Sequence, residues 1–165
     1  MSTKHALIIG GTGFISTYAV EEFARAGYNV TIITRGNTPD VHGDLVKTRL
    51  KVDCDKRKLF VSALKTSLTK VAESQGLASV PAKWDVVVDF ICFDPTHAED
   101  VVAGLSGLTH LFIYISTDSV YEVCKPQPGM NEPNFAGRTE EFDELLDLPE
   151  KAIENIDDYG YRKLL

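Results

Sequence analysis

Tyr159 and Lys163 close the run YGYRK (159–163), a four-residue spacing that puts both side chains on one face of a helix. A phenol with a pKa near about 10 is a poor base at neutral pH. An ammonium beside it favours the phenolate and brings the hydroxyl toward acid–base work. Tyr161, two residues on, points away from that face. The plainer reading of Tyr159 is a partly buried aromatic at a helix start.

A second chemical element lies at the other end of the chain, in LIIGGTGFIS (7–16). An apolar strand runs into a glycine turn that opens a helix, the context in which free N–H groups and a partial positive charge receive a phosphate. Gly11-x-Gly13-x-x-Ser16 matches two of the three glycines of the dinucleotide fingerprint, and Gly10-x-x-Gly13-x-x-Ser16 misses the same last position. The glycines needed for the tight turn and the close pyrophosphate approach are kept. Serine at the third adds a small side chain whose hydroxyl can bond back to a helical carbonyl. The alternative is a tight structural turn.

About twenty residues on, an acid would accept the adenosine ribose hydroxyls of NAD. Thr34-Arg35-Gly36-Asn37 stands there instead. A carboxylate would repel a 2′-phosphate, whereas arginine can grip one with its fork, so NADP is favoured and NAD is the alternative. Arg35 could instead pair with a surface carboxylate such as Asp40.

Positioning these groups requires alternating strands and helices. HALIIG (5–10), NVTIIT (29–34), RLKVD (49–53), WDVVVDFICF (84–93) and HLFIYIS (110–116) read as strands. Helices are predicted over 14–27, closed by Gly27, and over 55–76, where Phe60, Leu64, Leu68 and Val71 share a face. Lys56, Arg57, Lys58, Lys65 and Lys70 take mostly the other, solvated face. Asp94 and Pro95 start a third helix, which runs to about Gly107. Residues 124–137 read as a loop, and 138–158 as an acidic helical stretch broken by Pro149. The alternation implies right-handed crossovers and a doubly wound parallel α/β sheet.

GGTGFIS (10–16), YISTDSVYE (114–122) and YGYRK, in this order, resemble the extended short-chain dehydrogenase/reductase superfamily, in its NAD-dependent epimerase/dehydratase branch. The resemblance implies a Rossmann-type NAD(P)-binding domain over 1–165. It implies an oxidoreductase or epimerase moving hydride to or from a sugar-like substrate, a nucleotide sugar. It places cofactor contacts on Gly10, Gly11, Thr12, Gly13, Phe14 and Ile15, on Arg35, on Asp53 and Cys54, and on Phe90. Asp53 would bond the adenine amino group; capping the next helix is its alternative role, for which Asp55 is better placed. Lys163 would bond the nicotinamide ribose, and the positive nicotinamide would further favour the Tyr159 phenolate. Thr117 would bond the substrate oxygen and steady Tyr159. Asp118 matches the acid of nucleotide-sugar dehydratases, but Ser119 stands where their glutamate base follows, so dehydration is the runner-up. Phe90, Ile91 and Cys92 depart from the small residues or histidine expected there, and Cys92 reads as a buried small hydrophobe.

The interval from Thr117 to Tyr159 is longer than the family pattern leads one to expect. Relative to that pattern the chain stops inside the helix carrying Tyr159 and Lys163, after the fifth strand, with the substrate-binding region absent. Rival readings are a non-catalytic NADP(H) sensor, an RNA-associated protein, or an inactive truncated product; a homodimer is expected only of a longer form.

A net charge of −7 at pH 7 disfavours nucleic-acid backbones as partners. Hydrophobic content of 44% with 25% charged residues fits a soluble globular domain, and no apolar run reaches bilayer length. Cys54, Cys92 and Cys124 lack CxxC spacing, so neither a disulfide frame nor a metal site is expected, and a cytoplasmic location is.

Overall fold

The computed structural model describes residues 3–116. Contacts divide the chain into two units, and the first, residues 1–92 with 96–115, holds the sheet. In chain order the elements are β1 (His5–Ile9), α1 (Phe14–Arg25), β2 (Asn29–Thr34), a 3-10 turn (Gly43–Leu45), β3 (Val46–Lys51), α2 (Arg57–Gln75), β4 (Val86–Asp89), α3 (Pro95–Leu105) and β5 (Phe112–Tyr114). The strands are parallel in the order β3-β2-β1-β4-β5. The order reverses between β1 and β4, the place where doubly wound sheets open a crevice at their carboxyl ends.

Alternation along β1 builds two cores. Leu7 and Ile9 join Ile33, Val87 and the buried row Phe60, Leu64, Leu68 and Val71 of α2 on one face. Ala6 and Ile8 join Val20 of α1, Ile32, Val86 and Val88 on the other. Burial on both faces explains why these strands read as continuous apolar runs. The four α2 positions singled out by spacing are all 4% exposed or less. At about 25 cal/mol per Å² of apolar area removed from water, this double-sided burial is the main force holding the sheet.

Element ends differ from the periodicity where side-chain chemistry intervenes. β4 stops at Asp89, because its carboxylate accepts the Ile91 N–H at 2.8 Å and turns the chain. Trp84 keeps only an isolated bridge to Thr109. β3 runs Val46–Lys51, earlier than RLKVD suggested. α1 ends one turn of chain before Tyr28. There Gly27 takes φ +83°, its N–H reaches the Ala24 carbonyl, and Tyr28 N–H reaches Phe23. Phe23 and Tyr28 then meet edge to face at 5.3 Å. Arg57 stays on the solvated face predicted for it, with its side chain 54% exposed, yet its guanidinium forks onto the buried Asp100 carboxylate at 2.9 Å on each arm, tying α2 to α3. No helix among the described residues is long and apolar enough to cross a membrane.

Candidate functional site

β1 delivers the chain to the crevice at Ile9, and Gly10 turns it with φ +82°. A side chain on Gly10 would overlap Ile91 Cγ2, and a Cβ on Gly11 would sit 2.7 Å from Ile32 Cγ2. Gly10 is therefore demanded by both packing and the turn, and Gly11 by packing. Gly13 is the N-cap of α1 in extended geometry. The first intrahelical bond runs from Thr17 N–H to the Gly13 carbonyl at 3.0 Å, which leaves the Phe14, Ile15 and Ser16 amides ahead of the helical ladder. The Phe14 and Ile15 side chains stand outward, 84% and 64% exposed.

Ser16 does more than tolerate the third glycine position. The residue is 2% exposed, and its hydroxyl accepts the Gly13 N–H at 2.8 Å and donates to the Gly10 carbonyl at 2.7 Å. The expected bond to a helical carbonyl is present as a 3.2 Å approach to the Gly13 carbonyl, the first acceptor of the helix, and the shorter bond adds a partner in the turn before it. One side chain thus closes the loop that glycine leaves open, half of a capping box supplied from the third helical residue.

Across the crevice, Phe90 N–H donates to the Ile9 carbonyl at 3.0 Å. Phe90 leans on the α1-side core and Ile91 on the α2-side core, so the pair straddles the switch point. Cys92 is buried, as read from the sequence.

The loop after β2 carries the second part of the site. Arg35 is exposed and forms no ion pair with any described residue. Pairing with Asp40 does not occur, because Arg49 takes that carboxylate. Arg49 also donates to the Val46 carbonyl at 2.8 Å and to the Gly43 carbonyl at 2.7 Å, which fastens the loop to β3. Burial works to raise the Asp40 carboxyl. The Arg49 hydrogen bond, the His42 N–H and the charges of Arg49 and His42 outweigh it and hold the group below its ordinary 3.8.

His42 was not singled out by the sequence. It is 4% exposed, and its Nε2 lies 2.7 Å from the Gly11 carbonyl. A carbonyl only accepts, so Nε2 carries the proton and the loop is bonded to the glycine turn. A histidine in a polar loop has no periodic signal, and only its tertiary partner reveals it.

Asp53 follows β3 and does not cap α2, whose N-cap is Lys56. Its carboxylate accepts the Asp55 N–H at 3.2 Å and its carbonyl accepts the Lys56 N–H at 3.1 Å. Asp53, Cys54 and Asp55 bring their donor atoms within 4.8 Å of one another. Burial first, then the Asp55 and Asp53 carboxylates, push the Cys54 thiol above its ordinary 9.0, against the pull of Arg35. Cys54 therefore stays a neutral thiol at pH 7. Thr117, Asp118, Tyr159 and Lys163 lie outside the described residues.

The shaped glycine turn, the α1 amides ahead of the helical ladder and the switch-point crevice define a Rossmann-type architecture. Residues 6–142 match the sequence model of the NAD dependent epimerase/dehydratase family, and the chain belongs to that family. Among curated proteins none matches significantly.

Solved structures share the fold at low identity. A UDP-glucose-4-epimerase from Stenotrophomonas maltophila, with bound NAD and formylated UDP-arabinopyranose, is 15% identical with a TM-score of 0.56, over 98% of this chain and 46% of that one. A UDP-glucose 4-epimerase from Thermotoga maritima, with UDP-glucose, is 15% identical with a TM-score of 0.56, over 96% and 47%. An epimerase from Methanothermobacter thermautotrophicus is 16% identical with a TM-score of 0.54, over 99% and 45%. The chain spans about half the length of these structures.

Proposed function

We propose that this chain binds NADP in preference to NAD and serves an epimerase-like oxidoreductase that moves hydride to or from a carbinol or ketone carbon of a nucleotide sugar. One observation carries the cofactor part: Gly10 and Gly11 are held where any Cβ would collide, directly before amides of α1 that lack intrahelical partners. The dinucleotide fits this turn, with its pyrophosphate on the Phe14, Ile15 and Ser16 amides and its adenosine toward Arg35 and Asp53. Arg35, free of any described carboxylate, supports NADP. The nucleotide-sugar substrate is supported by the two UDP-glucose 4-epimerases of the same fold.

When bound, the nicotinamide supplies the hydride acceptor and donor. The chain's residues do the rest in this reading. Tyr159 moves the proton at its phenol oxygen, Lys163 favours the phenolate, and Thr117 bonds the substrate oxygen. Calorimetry with NADPH and NADH tests the cofactor part. NADPH binds more tightly, and Arg35→Ala narrows the gap by about 1–3 kcal/mol, the scale of a charge-assisted bond. Equal affinities in the parent protein overturn the preference. For the chemistry, NADPH absorbance is followed with nucleotide sugars. Tyr159→Phe lowers kcat by about a hundredfold or more with NADPH affinity unchanged.

A further inference from the structure

Arg35 is not alone at the end of β2. Lys51, the last residue of β3, is paired in register with Thr34, and the Val52 N–H bonds the Thr34 carbonyl at 2.9 Å. From there the Lys51 side chain lies across Gly36, the residue after Arg35. A Cβ on Gly36 would sit 2.7 Å from Lys51 Cε and 3.2 Å from Nζ. Gly36 also takes φ +76°, where a side chain would be strained. The missing side chain is thus what lets an ammonium settle over the β2 loop.

The cations around this loop are not all paired among the described residues. Of the three cations Arg35, Arg49 and Lys51, only Arg49 forms an ion pair with a described residue, Asp40, while Asp53 and Asp55 act with Arg35 on Cys54 without pairing it. Neither Arg35 nor Lys51 forms an ion pair with a described residue, Asp53 and Asp55 included. The chain carries −7 overall, so two unneutralised cations at one strand end are a local exception. Beside Lys51 lies a hollow of about 460 Å³ lined by Thr34, Gly36, Asn37, Thr38, Arg49 and Lys51 among others, and the one carboxylate on its wall, Asp40, is already held by Arg49.

We infer that Lys51 is a second grip on the 2′-phosphomonoester of the adenosine ribose, acting with Arg35 across Gly36. This rests on the NADP reading above and adds a specificity-determining residue to it. Arg35 supplies a planar fork and Lys51 a compact point charge, so the two can meet different oxygens of one phosphate. Both are exposed, so their joint effect is screened by salt.

NADPH and NADH affinities of the parent chain, Arg35→Ala, Lys51→Met and Lys51→Arg, titrated by nicotinamide fluorescence at low and high salt, test this. Lys51→Met keeps the stem that covers Gly36 and removes only the charge. It weakens NADPH binding by about tenfold and changes NADH binding by less than about twofold, the scale of one charged hydrogen bond partly screened by water. Lys51→Arg retains the preference, and the salt dependence of NADPH binding becomes shallower in Lys51→Met. If Arg35→Ala loses the preference and Lys51→Met keeps it, Lys51 has no part and the NADP reading stands. If Lys51→Met weakens both cofactors equally, its role is structural and the inference fails. Equal affinities in the parent chain overturn both readings together.

Discussion

The glycine turn and the β2 loop flank the same crevice and are held by different forces. The turn, residues 10–16, is closed by neutral bonds: a buried serine hydroxyl between two backbone groups, and apolar walls from Ile32 and Ile91. The loop, residues 35–45, is closed largely by charge, through Arg49, Asp40 and the two carbonyls that Arg49 reaches. Neutral, buried bonds respond little to salt or pH, whereas exposed ionic ones respond to both. Under the proposed cofactor placement, the pyrophosphate end of the site is therefore built to be invariant, and the ribose end to be adjustable.

The sharpest way to break the contrast is to fill the turn. Gly11→Val forces branched carbons onto Ile32 and Val20, and Gly10→Ala combines overlap at Ile91 with a positive φ. Each lowers unfolding free energy by about 2–4 kcal/mol and abolishes NADPH and NADH binding alike. Thermal melts and calorimetry read both effects; a variant that loses only NADPH contradicts the division of labour.

Ser16→Ala comes next. It removes the part-buried bonds to the Gly13 N–H and the Gly10 carbonyl, and stability falls by about 0.5–1.5 kcal/mol without added salt dependence. Retained stability in urea titrations refutes the role given to the hydroxyl.

At the loop the effects are smaller and conditional. Asp40→Asn or Arg49→Met costs under about 1 kcal/mol at neutral pH, because the pair is partly exposed. The folded-state value of Asp40 is depressed, so its contribution is present above 3.8 and is lost as pH falls through the lower folded value. Asp40→Asn therefore flattens the acid limb of the stability curve below 3.8. An unchanged acid limb removes Asp40 from the account.

The smallest effect lies at the opposite end of β1. Burial lowers the His5 pKa from 6.5, partly offset by Asp85, so the unfolded chain gains its proton first and stability falls as pH drops below 6.5. His5→Phe keeps a ring beside Trp84 and flattens this window. Chemical denaturation across that range is the check.

Legibility in the sequence follows the same division. β1, the glycine turn, α1 and the buried face of α2 were readable, because period and glycine chemistry are local. Arg35 was found from its offset along the chain. Lys51 and His42 were not, since their meaning depends on Gly36 and Gly11, which the fold brings to them from fifteen and thirty-one positions away. The early end of β4 was missed because one aspartate side chain outbids an apolar run that otherwise looks continuous.

The bond from His42 to Gly11 means that the adjustable loop is not a removable cassette. A loop grafted here from a protein with another cofactor taste would bring its own charges but not this imidazole. The Gly11 carbonyl, buried beneath it, would then be left without its donor, at about 1–3 kcal/mol. Changes in this loop are therefore best made as point substitutions around a retained residue 42, because wholesale loop exchange should loosen the glycine turn through the loss of this one bond.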